Sequence, residues 1–170
     1  MMPRLVSAFA LFLLTSFSAA CAQELKPYAG SATPPLRLKD LAGKVHDLTD
    51  YRGEVVMVQF WATYCAPCVK EMPSMQRLAA KLAGKPFRIL AVNMGESEAE
   101  VRAFLTKVNV DFTVLMDEEG QAIAAWKVFA VPSTFIVDRA GRIRHTLQGG
   151  TEWDAPQYVE TLTALIGAQP

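Results

Sequence analysis

The stretch "VVMVQFWATYCAPCVKEMP", residues 55–73, changes character part-way along. Val55 to Phe60 is β-branched and mostly apolar, as a strand buried on both faces should be. From Pro67 onward apolar residues recur every three or four positions, at Val69, Met72, Met75, Leu78 and Leu82, which predicts a helix. Pro67 suits its first turn, whereas Pro73 falls inside it and is expected to kink it. Cys65 and Cys68 therefore sit where a strand ends and a helix begins. The first N–H groups of a helix lack intrahelical partners, and the macrodipole there favours an anion. A thiolate is such an anion, and this setting can lower a cysteine pKa from about 8.5 to roughly 3.5–7.5. Cys68, one turn further in, is expected to be the more buried. Cys65 then reads as the attacking nucleophile and Cys68 as the resolving thiol, acting through a mixed disulfide.

Other chemistries share the C-x-x-C spacing. Haem attachment needs a histidine directly after the second cysteine, where Val69 stands. Structural zinc takes about four ligands, and the two histidines, His46 and His145, lie far apart and read as a turn residue and a strand residue. A bridge over two intervening residues closes almost no loop, so stapling is a weak explanation. A redox couple is what the spacing supports.

Working outward, "LRLKDLAGKVHDL" has two short alternating stretches around Ala42-Gly43-Lys44, consistent with a hairpin. "FRILAVN" (87–93) reads as a second buried strand. Ser97 and Glu100 form a capping box before a helix with Val101, Phe104, Leu105 and Val108 on its apolar face. "FTVLM" predicts a short strand and Gln121 to Lys127 a short helix. "STFIVD" and "RIRHTLQG" flank the turn 138–141, and Tyr158, Leu162, Leu165 and Ile166 mark a last helix. The order β-α-β-α-β-α-β-β-α predicts an α/β domain with a central mixed sheet flanked by helices.

Length and charge narrow the rest. The 170 residues suffice for one domain, and 17 basic against 17 acidic residues offer no electrostatic case for nucleic acid. Arg4, the apolar run Leu5–Phe17 and the small residues of "SAACAQ" have the layout of an export signal. Cleavage before Gln23 and lipidation of Cys21 are the two processing readings, and either removes Cys21 from the redox chemistry; a retained membrane anchor is the further competitor. Residues 1–22 thus read as an export signal, 23–35 as a flexible tether rich in Pro, Ala and Gly, and 36–170 as the domain.

The quoted stretch, with "LAGKVHDLTDYRGEVV", "AVNMGESEAEV" and "VPSTFIVDRAGRI", resembles the exported TlpA/ResA branch of the thioredoxin-fold proteins from about Leu36 to the C-terminus. The resemblance implies a thioredoxin-like fold with an N-terminal β-hairpin and a central insertion near Glu96–Met116. It maps the redox cysteines to Cys65 and Cys68, the active-site tryptophan to Trp61, a cis-proline to Pro132 and an acid to Glu71. Tyr64, Pro67, Val131 and Pro132 join Trp61 as the surface expected to meet substrate. From spacing alone Glu71 reads as an exposed first-turn residue, and Pro132 as an ordinary trans proline. Gln59 stands where cytosolic thioredoxins carry a buried aspartate, which leaves Glu71 as the carboxylate able to accept a proton.

The function so implied is that of an exported thiol-disulfide oxidoreductase. It would reduce disulfides of periplasmic proteins, apocytochrome c among the candidates, and draw electrons from a membrane thiol donor of the DsbD/CcdA type. It needs no cofactor beyond the Cys65–Cys68 couple. Two alternatives stay open: a peroxiredoxin-type peroxidase, although Thr63 is one residue too close to Cys65 for that motif, and a copper-binding or metallochaperone module, although its C-x-x-x-C spacing is one residue longer.

Overall fold

The computed structural model describes residues 23–30 and 32–168, so the segment read as an export signal, with Cys21, lies outside the described residues. In chain order the elements are β1 (Lys26–Pro27), β2 (Arg37–Asp40), β3 (Val45–Asp47), a 3-10 turn (Leu48–Tyr51), β4 (Val55–Trp61), α1 (Ala66–Lys81), β5 (Phe87–Met94), α2 (Glu98–Leu105), β6 (Thr113–Asp117), α3 (Gln121–Ala125), β7 (Ser133–Val137), β8 (Ile143–Gln148) and α4 (Pro156–Gly167). The strands form one mixed sheet in the order β1-β8-β7-β4-β5-β6-β2-β3. Strand β4 runs parallel to β5 and antiparallel to β7, and every one of its residues is buried. That is the physical basis of its mostly apolar sequence.

One face of the sheet is covered by α1, α2 and α4. Met75 and Leu78 of α1 and Tyr158 and Leu162 of α4 pack on Val55, Met57, Ile89 and Ile136. The opposite face takes α3 and the 3-10 turn, with Trp126 and Leu48 against Val56, Val58 and Phe60. The alternation of side chains along β4 thus divides one strand between two cores. The hairpin β2–β3 forms as expected, and the insertion appears as α2 followed by β6, which pairs with both β5 and β2.

One expectation is corrected. The segment 23–35 is not a free tether: Lys26–Pro27 pair with His145 and Thr146 of β8, and the Tyr28 N–H donates to the Arg144 carbonyl at 2.9 Å. A two-residue edge strand is too short to show alternation, and a proline is tolerated there because an edge leaves its missing N–H uncalled for. The helix α1 is one sixteen-residue element with Pro73 inside it, where the sequence places that proline. Next to that proline the Ser74 hydroxyl donates to the Glu71 carbonyl at 2.7 Å and accepts from the Trp153 N–H at 2.9 Å.

Candidate active site

The end of β4 delivers the chain to α1 through Ala62, Thr63 and Tyr64. Cys65 is the N-cap residue of α1, with extended backbone (φ −85°, ψ 94°), and its Sγ accepts from the Cys68 N–H at 3.3 Å. The sulfur therefore takes the place that a serine or aspartate oxygen fills at other helix starts. Pro67 occupies the first turn, where an N–H would have had no partner. Cys65 and Cys68 are joined in a disulfide, S–S 2.05 Å. Cys65 keeps 7% of its surface and Cys68 none, so the outer sulfur is the one a partner molecule reaches first.

Glu71 is not the exposed first-turn residue that spacing suggests. It is 2% exposed, and its carboxylate accepts from Gln59 Nε2 at 2.7 Å, Thr151 N at 3.1 Å and Trp153 Nε1 at 3.1 Å. Burial raises its pKa to about 7, although all three hydrogen bonds pull the other way. Desolvation wins because the donors are neutral dipoles and no cation offsets the buried charge. Glu71 lies three residues after Cys68, on the same side of the helix. A carboxyl titrating there can exchange a proton with its surroundings near neutral pH. Gln59, the neutral residue that set this chain apart from cytosolic thioredoxins, proves to be a donor to Glu71.

A second acid escaped the reading of the sequence. The Glu96 carboxylate accepts from the Thr63 N–H at 2.7 Å, the Thr63 hydroxyl at 2.5 Å and Asn93 Nδ2 at 2.7 Å. It clasps the turn that carries Cys65 to the end of β5. The only sequence signal was its place just ahead of a capping box, which says nothing about contact with a residue 33 positions away. Glu96→Ala removes acceptors from three donors and should lower unfolding free energy by about 2 kcal/mol. Glu96→Gln should cost far less, since the Thr63 hydroxyl can turn to accept from the new amide. Urea denaturation of the oxidised proteins measures both.

Gly150 also enters unannounced. A Cβ there would meet the Pro67 carbonyl oxygen at 2.9 Å, closer than side chains normally approach backbone. The loop after β8 therefore rests directly on the first turn of α1. Gly150→Ala should displace that turn, costing roughly 1–3 kcal/mol and altering the alkylation rate of reduced Cys65. Thermal denaturation and iodoacetamide kinetics would show it.

The residues expected to meet substrate separate on inspection. Tyr64 is 72% exposed and Pro67 is exposed, Val131 is half-buried and packs on the cluster that holds both cysteines, and Pro132 is buried. The Val131–Pro132 peptide bond is cis. Trp61 departs from the expectation. It is fully buried, its ring 5.4 Å from that of Phe104, so it backs the cysteines instead of facing outward.

A redox-closed cysteine pair at a helix N-cap, a buried acid beneath it and a cis-proline beside it can be compared with known proteins. Residues 29–146 match the AhpC/TSA family. The thiol-disulfide oxidoreductase ResA of Geobacillus thermodenitrificans is 37% identical over 134 residues, covering 78% of this chain and 77% of that protein. The chain belongs to the ResA-like thiol-disulfide oxidoreductases of the thioredoxin fold. A solved structure proposed to be the thiol:disulfide interchange protein DsbE of Chlorobium tepidum superposes with a TM-score of 0.75 at 31% identity, covering 85% of this chain and all of the other. The exposed lipoprotein thioredoxin Etrx1 of Streptococcus pneumoniae has a TM-score of 0.65 at 26% identity, over 76% of this chain and 98% of that one. For a ResA-like oxidoreductase the chemistry is two-electron exchange between a dithiol and a disulfide, and the site supplies its parts: an outer sulfur, an inner sulfur and a titrating acid.

Proposed function

We propose that this oxidoreductase works as a reductase of disulfides in exported proteins, with Cys65 as nucleophile, Cys68 as resolving thiol and Glu71 as proton acceptor. The observation that carries this reading is the asymmetry of the couple. Cys65 sits at the helix N-cap and keeps a small exposed surface, while Cys68 has none and lies on the same side of the helix as a buried acid.

In the dithiol form the Cys65 thiolate attacks one sulfur of a substrate disulfide. The S–S bond breaks, a mixed disulfide forms, and the expelled substrate thiolate takes a proton from water. Cys68 then loses its proton towards Glu71 and attacks Cys65 Sγ. The mixed disulfide breaks, the second substrate thiolate leaves and is protonated, and the Cys65–Cys68 bond of this structure is formed. Two electrons have moved from the enzyme to the substrate. A membrane thiol donor of the DsbD/CcdA type returns them by the same exchange in reverse.

Reduction of exported proteins follows from the layout of residues 1–22, and a relative that is an exposed lipoprotein supports the lipid-anchored reading of Cys21. Among the described residues no helix is long and apolar enough to cross a membrane, so attachment through the N-terminus is the arrangement proposed. Apocytochrome c is the proposed substrate among exported proteins that must present free cysteines. The test is capture: Cys68→Ser protein, expressed with its own N-terminus in a bacterial host, should accumulate mixed disulfides that mass spectrometry identifies. Capture of apocytochrome c supports the finer reading, and capture of many unrelated proteins supports general disulfide reduction. Absence of any captured partner sinks the reductase proposal.

A further inference from the structure

The sheet topology brings the entry to β1 to the end of the molecule that carries the cysteines. Strand β4 ends there at Trp61, and β7, antiparallel to it, begins there just after Pro132. Strand β8 runs antiparallel to β7 and so ends there at Gln148, and β1 is antiparallel to β8. The chain entering β1 therefore arrives from that same end. The order β1-β8-β7-β4 places three strand spacings, about 14 Å, between β1 and the strand that leads to Cys65.

This entry is fastened as far back as Gln23. The Tyr158 hydroxyl donates to the Gln23 carbonyl. With its amide nitrogen turned to the loop after β8, Gln23 donates to the Gln148 carbonyl at 3.0 Å and to the Gly149 carbonyl at 3.2 Å. Leu25 packs on the core cluster that includes Trp153 and Tyr158. The same loop touches the site: the Gly149 N–H donates to the Pro132 carbonyl at 2.8 Å, Gly150 rests on Pro67, and the Thr151 N–H donates to Glu71. Cys21 stands two residues before Gln23 in sequence, a reach of at most about 7 Å.

We propose that the strap formed by residues 23–28 turns the cysteine end of the domain towards the bilayer, so that the partner met there is a dithiol carried at the membrane surface. This rests on the reading that the protein is attached through its N-terminus. Left as a free coil, residues 23–35 would span about 20 Å and let the domain turn in any direction. Fastened at Gln23, the chain leaves almost no play between a lipid on Cys21 and the loop that rests on Pro67. A domain of this size is roughly 35 Å across, so attachment at the opposite end would hold the cysteines that far out in water. Held at the near end, they meet a membrane-borne thiol at high effective concentration.

The test compares the full-length wild type with a protein carrying a Gly-Ser linker of about twelve residues between Ala22 and Gln23, which frees the anchor and leaves the strap in place. Both are made in a bacterial host and reconstituted on phosphatidylcholine vesicles in which some phosphatidylethanolamine bears a dihydrolipoyl headgroup. A headgroup thiolate attacks Cys65 Sγ, the Cys65–Cys68 bond breaks, and the Cys68 thiolate takes a proton. The second headgroup thiol then closes the cyclic disulfide and releases Cys65, so two electrons pass to the protein. Alkylation of the freed cysteines reads the rate. The linker should slow reduction by the vesicle dithiol about tenfold, while soluble dithiothreitol reduces both proteins at rates within about twofold. Equal reduction of the two by the vesicle dithiol overturns the proposal, as does faster reduction of the linker protein. If wild type does not float with vesicles in a density gradient, the attachment reading itself fails, and the orientation with it.

Discussion

Cys65→Ala should lower turnover of a protein disulfide by roughly a thousandfold or more, down to the uncatalysed rate. The remaining thiol, Cys68, has no exposed surface and cannot meet an incoming sulfur without movement of the helix start. Cys68→Ser should behave differently. It keeps the outer nucleophile and its place at the N-cap, so the first exchange proceeds, but nothing inside resolves the product. A stoichiometric mixed disulfide should therefore build up and show as a mass increase on non-reducing analysis. The double variant Cys65→Ala with Cys68→Ser should trap nothing. Trapping by Cys65→Ala alone, through Cys68, would reverse the two roles.

Glu71→Gln should act on rate and stability in opposite directions. Without a carboxylate to accept the Cys68 proton, resolution of the mixed disulfide should slow by about a hundredfold near pH 7. Stability should rise above neutral pH. In the unfolded chain this carboxyl ionises near 4.5, and in the fold near 7. Between those values the folded protein holds a proton that the unfolded chain has lost, so stability falls as pH rises through that window. Below it both states are protonated; above it both are ionised and the loss, about 3 kcal/mol, is complete.

The substitution removes that charge, and the amide it introduces can still be satisfied. The Oε1 of Gln59 has no hydrogen-bond partner. A turned Gln59 can therefore accept from the introduced amide nitrogen, while the introduced oxygen accepts from Thr151 and Trp153. Urea denaturation of the oxidised proteins at pH 5 and pH 8 measures the effect. The wild-type-minus-variant difference should favour the variant at pH 8 and shrink towards pH 5. A difference that does not change with pH would show that Glu71 is already charged throughout.

What the amino-acid order determined by itself was the local framework around Cys65. A β-branched apolar run has to be an enclosed strand, a three-four apolar stripe has to lay one face of a helix on a core, and a cysteine between them has to stand at a helix start. Each conclusion depends on neighbours in sequence, and the hairpin, α2 and its capping box, and the β7–β8 turn followed in the same way. Family resemblance added what local pattern could not, the likeness of Pro132 to a cis-proline and of Glu71 to a family acid. The environments of these residues were decided only by the tertiary structure. Glu71 sits beneath Thr151 and Trp153, 80 and 82 residues away, and no periodicity in α1 distinguishes a buried acid from an exposed one. Glu96, Gly150 and the inward-turned Trp61 were illegible for the same reason. Desolvation, close approach and clasping hydrogen bonds are properties of segments brought together by the sheet, and they exist only once β4, β5, β8 and α1 have met.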